Sequence, residues 1–536
     1  MALTSILKVL KYIPRVGRLI NHFATNKLCS ATTPRPLAFG LWSHIPKPGG
    51  VQSPDVQGPP GEYTSWPMLT DQKYSSRHLP PASVDFIKNL PVDIRPKPNE
   101  AEYGAVTKLF MRQGKMHESR SSTLFMFFAQ WFTDSVLRVH PIDRRMNTSN
   151  HNIDLCQIYG LTEHVAGVLR SKIGGKLRSQ KINGEEFLDY IGEIDAEGKW
   201  KVKQQYESLP YVADGSIYKI IGAWDTARWM SLYATGLERG NSSIGYVAIS
   251  TLFMREHNRI CEGLAKTYTD WDDERLFQTA RMINTVILMK LVVVDYINHI
   301  SGLDLFEFDT KFAEKKTWYR SPWISIEFDM LYRWHGLIPD SISIGGKSYD
   351  QKEYRFNNAI LESYGLSAII EASSKSAAGV IGLYNVPKFM ADAEYNAIKM
   401  GRDFRLASFN NYREHFGLKP YQSFHALTGD DNLSAQLSKL YGHIDNLEFL
   451  TGLFAEKRDS SSLFGQLMNT MVAYDAFTQI YTNPLLSENV YHERTLSRYG
   501  LDLIEKTNSL QDLFDRNNQK GNGALASFSH EMASIT

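Results

Sequence analysis

Hydrophobic residues recur along most of this chain with helical rather than alternating spacing. "LFMFFAQWFTDSVLRV" (124–139) is apolar nearly all round, the pattern of a helix buried in a core. "STLFMREHNRICEGLAKTY" (250–268) and "DERLFQTARMINTVILMKLVVVDYINHI" (273–300) continue it. "SISIGGKSYD" (341–350) alternates around two glycines and predicts a small hairpin. Helical periodicity dominates from about residue 84, so the fold class expected is mainly α with long connections and very little β.

One segment joins this pattern to chemistry. "IEFDMLYRWHG" (326–336) follows Pro322, ends at Gly336 and has Pro339 just beyond, start and stop signals in helical order. Ile324, Phe328, Leu331 and His335 then fall on one stripe, and Tyr332 and His335, three apart, share a face. A core histidine satisfies this spacing. So does an axial haem ligand, since iron in an apolar pocket takes a neutral imidazole. Spacing alone leaves both readings open.

Composition narrows the class. The chain has 536 residues, 43% of them hydrophobic, enough for one large body or for several domains of roughly 150 residues. Lys+Arg number 59 against 58 Asp+Glu, a net charge of +1 that gives no reason to expect nucleic acid as a partner. Cys29, Cys156 and Cys261 are too few and too scattered for a disulfide framework or a CxxC metal pair, so a reduced, intracellular setting is expected. Seven Lys/Arg precede the first acidic residue, Asp55, and the opening "MALTSILKVLKYIPRVGRLINHF" sets several of them among apolar residues. No apolar run there is long enough for a secretory signal or a membrane span. A basic amphipathic segment on a membrane, a transit peptide and a flexible tail all fit, with Pro14 against one unbroken helix. The organisation expected is a basic, Pro/Gly-containing segment over 1–60, a catalytic body over 61–516 and a flexible polar tail over 517–536.

Nine colinear runs identify a family resemblance: "FMFFAQWFTDS" (125–135), "IDLCQIYG" (153–160), "LFMREHNRIC" (252–261), "WDDERLFQTAR" (271–281), "VDYINHISG" (294–302), "EFDMLYRWHGLIPD" (327–340), "GLKPYQSF" (417–424), "LYGHIDNLEF" (440–449) and "FGQLM…NP" (464–484). Together they resemble the cyclooxygenases (prostaglandin-endoperoxide synthases) of the haem peroxidase–cyclooxygenase superfamily. The resemblance implies a multi-helix haem protein binding haem b, with His335 as the proximal iron ligand and Trp334 as the intervening aromatic. It makes Tyr332 the radical carrier that takes a hydrogen from a polyunsaturated fatty acid before O₂ adds. It also makes Tyr296 the hydrogen-bond partner of Tyr332, and Gln130 a distal residue beside the haem. Ile297, Ile300, Ser301, Phe328, Leu331 and Ala473 match positions along the fatty-acid channel.

Departures from the family's pattern are as informative. Asp134 stands where the family has the distal histidine that moves a proton during peroxide cleavage. An ordinary carboxyl titrates near 3.9 against about 6.5 for histidine, so weak or absent peroxidase turnover is expected. At the channel mouth Leu303 and Thr470 replace the family's Tyr and Glu, and Arg35 and Lys47 are candidates for its Arg. Ala476 stands at the serine acetylated by aspirin, and Leu450 at an aromatic hydroxyl near the proximal His. Val472, Phe477 and Gln479 point to a reshaped channel. Of the family's EGF module, secretory signal and retention signal, none is expected, on the cysteine count, the basic opening and the closing "HEMASIT". The expected activity is oxygenation of a fatty acid, arachidonate first, to a prostaglandin endoperoxide. The partners are the fatty acid and O₂, with peripheral membrane association and a homodimer both open. The rivals are an α-dioxygenase or diol-synthase-type enzyme of the same superfamily, favoured by Arg333 after Tyr332, and a silent lipid-binding homologue.

Overall fold

The computed structural model describes residues 13–31, 74–96, 102–319, 321–459, 461–521 and 523–530. Arg35, Lys47, residues 1–12 of the basic segment and nearly all of the Pro/Gly-rich stretch lie outside them.

Helices dominate. The ones that build the site are α1 (Pro14–Cys29), α2 (Thr123–Thr133), α3 (Ile244–Thr267), α4 (Asp273–Leu291), α5 (Ile326–Leu331), α6 (Ala391–Asp403) and α7 (Gln466–Tyr481). Ser122, Ser243, Asp272 and Ser325 begin α2, α3, α4 and α5. Each side chain accepts a backbone N–H of the first turn, a cap that contributes about 1 kcal/mol. Helix α3 packs against both α2 and α4. Gly245 permits the α2 approach, since a Cβ there would stand 2.1 Å from the Phe127 ring. Helix α4 continues into a π-helical segment, Val292–Ile297, that carries Tyr296. Such segments widen a helix locally and occur at functional sites.

Among the described residues, strands form four two-stranded antiparallel pairs. The predicted hairpin is one of them: Ser341–Ile344 pairs with Lys347–Asp350 around Gly345 and Gly346, both at positive φ. All three cysteines are buried, and none forms a disulfide among the described residues. No helix of the described residues is long and apolar enough to cross a membrane.

Three expectations need correction. The helix predicted over 124–139 stops at Thr133, with Asp134 as its C-cap. Side chains capture the carbonyls of its last turn: Thr133 Oγ1 donates to Gln130 O, Ser135 Oγ to Phe132 O and Gln157 Nε2 to Trp131 O. Second, α5 ends at Leu331, so Tyr332 and His335 do not share a helix face. Tyr332 caps the helix, and His335 opens a short 3₁₀ turn, His335–Leu337. The Trp334 ring folds back onto Tyr332 with centroids 4.1 Å apart. Gly336 then passes so close to Val380 that a Cβ would meet its carbonyl oxygen at 2.5 Å. Third, part of the supposed polar tail is packed. Phe528 is buried against Phe125, Phe128 and Tyr296, and Ser122 Oγ donates to Ser527 O. One aromatic residue in a polar stretch anchors that segment to the core.

Candidate active site

A cleft opens between α2 and the chain that follows α5. Gln130, Thr133 and Asp134 line one side, and Tyr332, Trp334, His335, Leu337 and Ile338 the other. Met126 and Phe127 supply apolar wall, while Arg239, Arg333 and Arg355 add three guanidinium groups. The residues singled out at 130, 134, 332 and 335, up to 205 positions apart in sequence, therefore meet around one space.

His335 is held from behind. Its Nδ1 donates to Glu394 Oε1 at 2.6 Å, and Glu394 is wholly buried on α6. That bond leaves Nε2 as the ring's remaining ligating atom. The other carboxylate oxygen of Glu394 meets no hydrogen-bond partner among the described residues. Sequence reasoning looked to position 450 for the neighbour of this histidine; Leu450 is core, and Glu394 is what touches it. A signal was present, because Glu394 lies on the apolar stripe formed by Ala391, Ala397 and Ile398. An acidic residue on the buried face of an amphipathic helix needs a partner.

Tyr332 lies between Trp334 and Phe328, 4.1 and 5.0 Å away between ring centroids. Burial pushes its phenol up, the Tyr296 hydroxyl pulls it down, and the Asp475 carboxylate adds a further upward push. Tyr296, stacked on Phe125, is raised by burial as well. The two hydroxyls interact without closing a well-directed hydrogen bond. Burial thus keeps the phenol protonated, with its O–H hydrogen in place.

Asp134 departs from a free surface carboxylate. It is buried, and burial raises its pKa above the ordinary value, against the lowering effects of Arg239, Arg138 and the Tyr246 hydroxyl. Arg239 Nη1 stands 3.5 Å from Oδ1. The carboxyl is thus occupied by neighbours on its own side of the cleft.

The residues expected along a fatty-acid channel do not line this cleft. Ile297, Ile300, Phe328, Leu331 and Ala476 are buried, whereas Ser301, Leu303, Thr470 and Ala473 are partly exposed. Helix α7, which carries Thr470, Ala473 and Ala476, packs against both α1 and α5. Ser301 Oγ donates to Asn298 O and Thr470 Oγ1 to Gln466 O, so both hydroxyls are turned back onto their own helices.

The sequence profile of the animal haem peroxidases matches residues 133–527. Prostaglandin G/H synthase 2 of Gallus gallus is 31% identical over 478 residues, covering 88% of this chain and 75% of the relative. Prostaglandin G/H synthase 1 of Rattus norvegicus is 31% identical over 470 residues, covering 86% and 74%. Among solved structures, the fatty acid alpha-dioxygenase of Oryza sativa superposes with a TM-score of 0.64 at 16% identity, over 85% of this chain and 83% of that one. Peroxidase A from Dictyostelium discoideum does so at 0.65 and 18%, over 85% and 95%. At those identities the two structures speak for the fold.

Proposed function

The chain belongs to the animal haem peroxidase family, and from that premise we propose that it is a haem-dependent dioxygenase. Its substrate is a polyunsaturated fatty acid, arachidonate first, converted to a prostaglandin endoperoxide through a radical on Tyr332. The observation that carries this reading is the Tyr332–Tyr296 pair, two protonated phenols set beside the cleft that His335 lines.

The cleft suits haem b by its donor set. His335 would hold the iron through Nε2, its Nδ1 being engaged by Glu394. Met126, Phe127, Leu337 and Ile338 would cover the macrocycle, and Arg239, Arg333 and Arg355 offer positive charge to its two carboxylates. Bound there and oxidised by a peroxide, the haem supplies the oxidising power. Tyr332 gives up its phenolic hydrogen, then recovers one from a doubly allylic carbon of the fatty acid. The carbon radical captures O₂, the peroxyl radical so formed adds to the double bonds of the chain to close the endoperoxide ring, and the carbon radical left by ring closure captures a second O₂. The final peroxyl radical takes the hydrogen back from Tyr332, leaving a hydroperoxide and a renewed tyrosyl radical. The Tyr296 hydroxyl faces the Tyr332 phenol, and the apolar residues of α5 and α7 place the chain and exclude water.

Peripheral membrane association has support in α1. Leu19 and Phe23 are 68% and 71% exposed on it, flanked by exposed Arg15, Arg18 and Lys27, while its other face packs on α7. Apolar side chains beside basic ones suit an anionic lipid surface.

A Soret band in the purified, haem-loaded protein, lost in His335→Ala, tests the haem site. Its absence in the wild type would remove the enzyme reading. Aspirin offers a second check. Ala476 has no hydroxyl to acetylate, and Leu303 and Thr470 offer no cation or free donor to an acid, so oxygen uptake should survive incubation with aspirin at levels that inactivate cyclooxygenases. Rapid covalent inactivation would contradict the channel assignment. The rival α-dioxygenase reading rests on Arg333, which here pairs with Asp329 at 2.6 Å.

A further inference from the structure

Helix α7 carries two buried polar side chains that the described residues leave incompletely paired. Asp475 is 1% exposed, and its Oδ2 stands 3.3 Å from His78 Nε2. Its Oδ1 meets no hydrogen-bond partner among the described residues. Gln479 is buried as well, and neither its Nε2 nor its Oε1 meets a partner among them. The neighbouring Thr478 hydroxyl is turned away, donating to Tyr474 O on its own helix. Burying polar atoms without partners is costly, and native folds do it rarely.

The two side chains belong together. Residues four apart on a helix stand one above the other on a single face. Asp475 and Gln479 therefore share the α7 stripe that carries Val472 and Ala476, residues expected along the fatty-acid channel. Ala476, beside Asp475 on that stripe, contributes only a methyl group. Helix α7 packs against α5, which ends at Tyr332, and the Asp475 carboxylate is near enough to act on the Tyr332 phenol. The polar pair thus lies toward the reacting phenol.

Chemistry narrows what such a pair fits. A carboxylate oxygen accepts a hydrogen bond, and a primary amide both donates and accepts. An unsubstituted acyl chain offers them nothing. A fatty acid's own carboxylate would set acceptor against acceptor at Asp475. A hydroxyl on the chain has an O–H for Asp475 Oδ1 and lone pairs for Gln479 Nε2. We propose that Asp475 and Gln479 form a polar subsite for a hydroxyl group carried by the acyl chain, so that the preferred substrate is a hydroxylated polyunsaturated fatty acid. This rests on the fatty-acid reading above and narrows it, with arachidonate itself entering more weakly. The substrate is then supplied by an earlier hydroxylation or oxygenation of the same chain.

Equilibrium dialysis of radiolabelled arachidonate against haem-loaded Tyr332→Phe protein separates binding from chemistry. The competitors are monohydroxy arachidonates with the hydroxyl at successive positions along the chain. At least one isomer should displace the label about tenfold more effectively than unlabelled arachidonate, since a site built to hydrogen-bond a hydroxyl disfavours the analogue lacking it. That preference should vanish when Asp475→Leu or Gln479→Met is added. Gln479→Met removes two unpaired polar atoms at nearly constant volume, so it should fold even if loss of the His78 contact unfolds Asp475→Leu. Isomers that all bind no better than arachidonate overturn the proposal, and so does a preference that survives in Gln479→Met. Arachidonate that fails to bind at all would instead sink the fatty-acid reading, a failure distinguishable from the other two.

Discussion

Replacing Tyr332 with phenylalanine should leave a folded, haem-binding protein that makes no oxygenated fatty acid. The substitution removes one oxygen atom and keeps the ring that packs between Trp334 and Phe328. The lost hydroxyl closes no well-formed hydrogen bond, so its removal should change stability by no more than about 1 kcal/mol. The loss is chemical. Phenylalanine has no weak O–H bond to exchange with a doubly allylic C–H. Oxygen uptake with arachidonate should therefore fall by at least about a hundredfold, to background, as expected for a group that takes part in the bond changes themselves. The Soret band should be unchanged. Substantial uptake in Tyr332→Phe would move the radical elsewhere.

Asp134→His should have the opposite kind of effect, a gain. In the wild type the carboxyl is raised by burial yet engaged by Arg239, Arg138 and Tyr246 on its own side of the cleft. It is also shorter than a histidine, so its oxygens reach less far into the cleft. An imidazole at the same helix end, beside Arg239 and Arg138, would be held neutral by those charges and could accept a proton from a peroxide. Turnover of a guaiacol-type reductant should rise by roughly a hundredfold or more, the usual scale of a positioned acid–base group. Oxygenation should change much less, because Tyr332 is regenerated in each cycle and peroxide is needed only for priming. Vigorous peroxidase turnover in the wild type would show that Asp134 already does the histidine's work.

Much of the fold was legible because burial imposes periodicity. The long helices α3 and α4, the glycine hairpin and the mainly α class all follow from spacing and turn chemistry. The three corrections share a different origin. The helix read through Tyr332 and His335 carries good helical periodicity, but the Trp334 ring folds onto Tyr332 once the helix has ended, and the passage of Gly336 beside Val380 is a contact with a distant segment. The early end of α2 depends on Gln157, a side chain 24 positions beyond Thr133. Phe528 could be recognised as an anchor only once its pocket among Phe125, Phe128 and Tyr296 existed. The cleft shows the same division. Gln130, Asp134, Tyr332 and His335 were nameable one by one from the resemblance, and they converge. Glu394 was visible only as an acidic residue out of place on an apolar stripe, with nothing local to say what it would touch.

The central claim is that the Tyr332 radical attacks a doubly allylic carbon well inside the fatty-acid chain. Mass spectrometry of the products formed from arachidonate by the haem-loaded wild type tests it most directly. The account predicts a bicyclic endoperoxide hydroperoxide or the prostaglandins it decays to. A 2-hydroperoxy acid, or arachidonate recovered unchanged by a protein with a full Soret band, would contradict it.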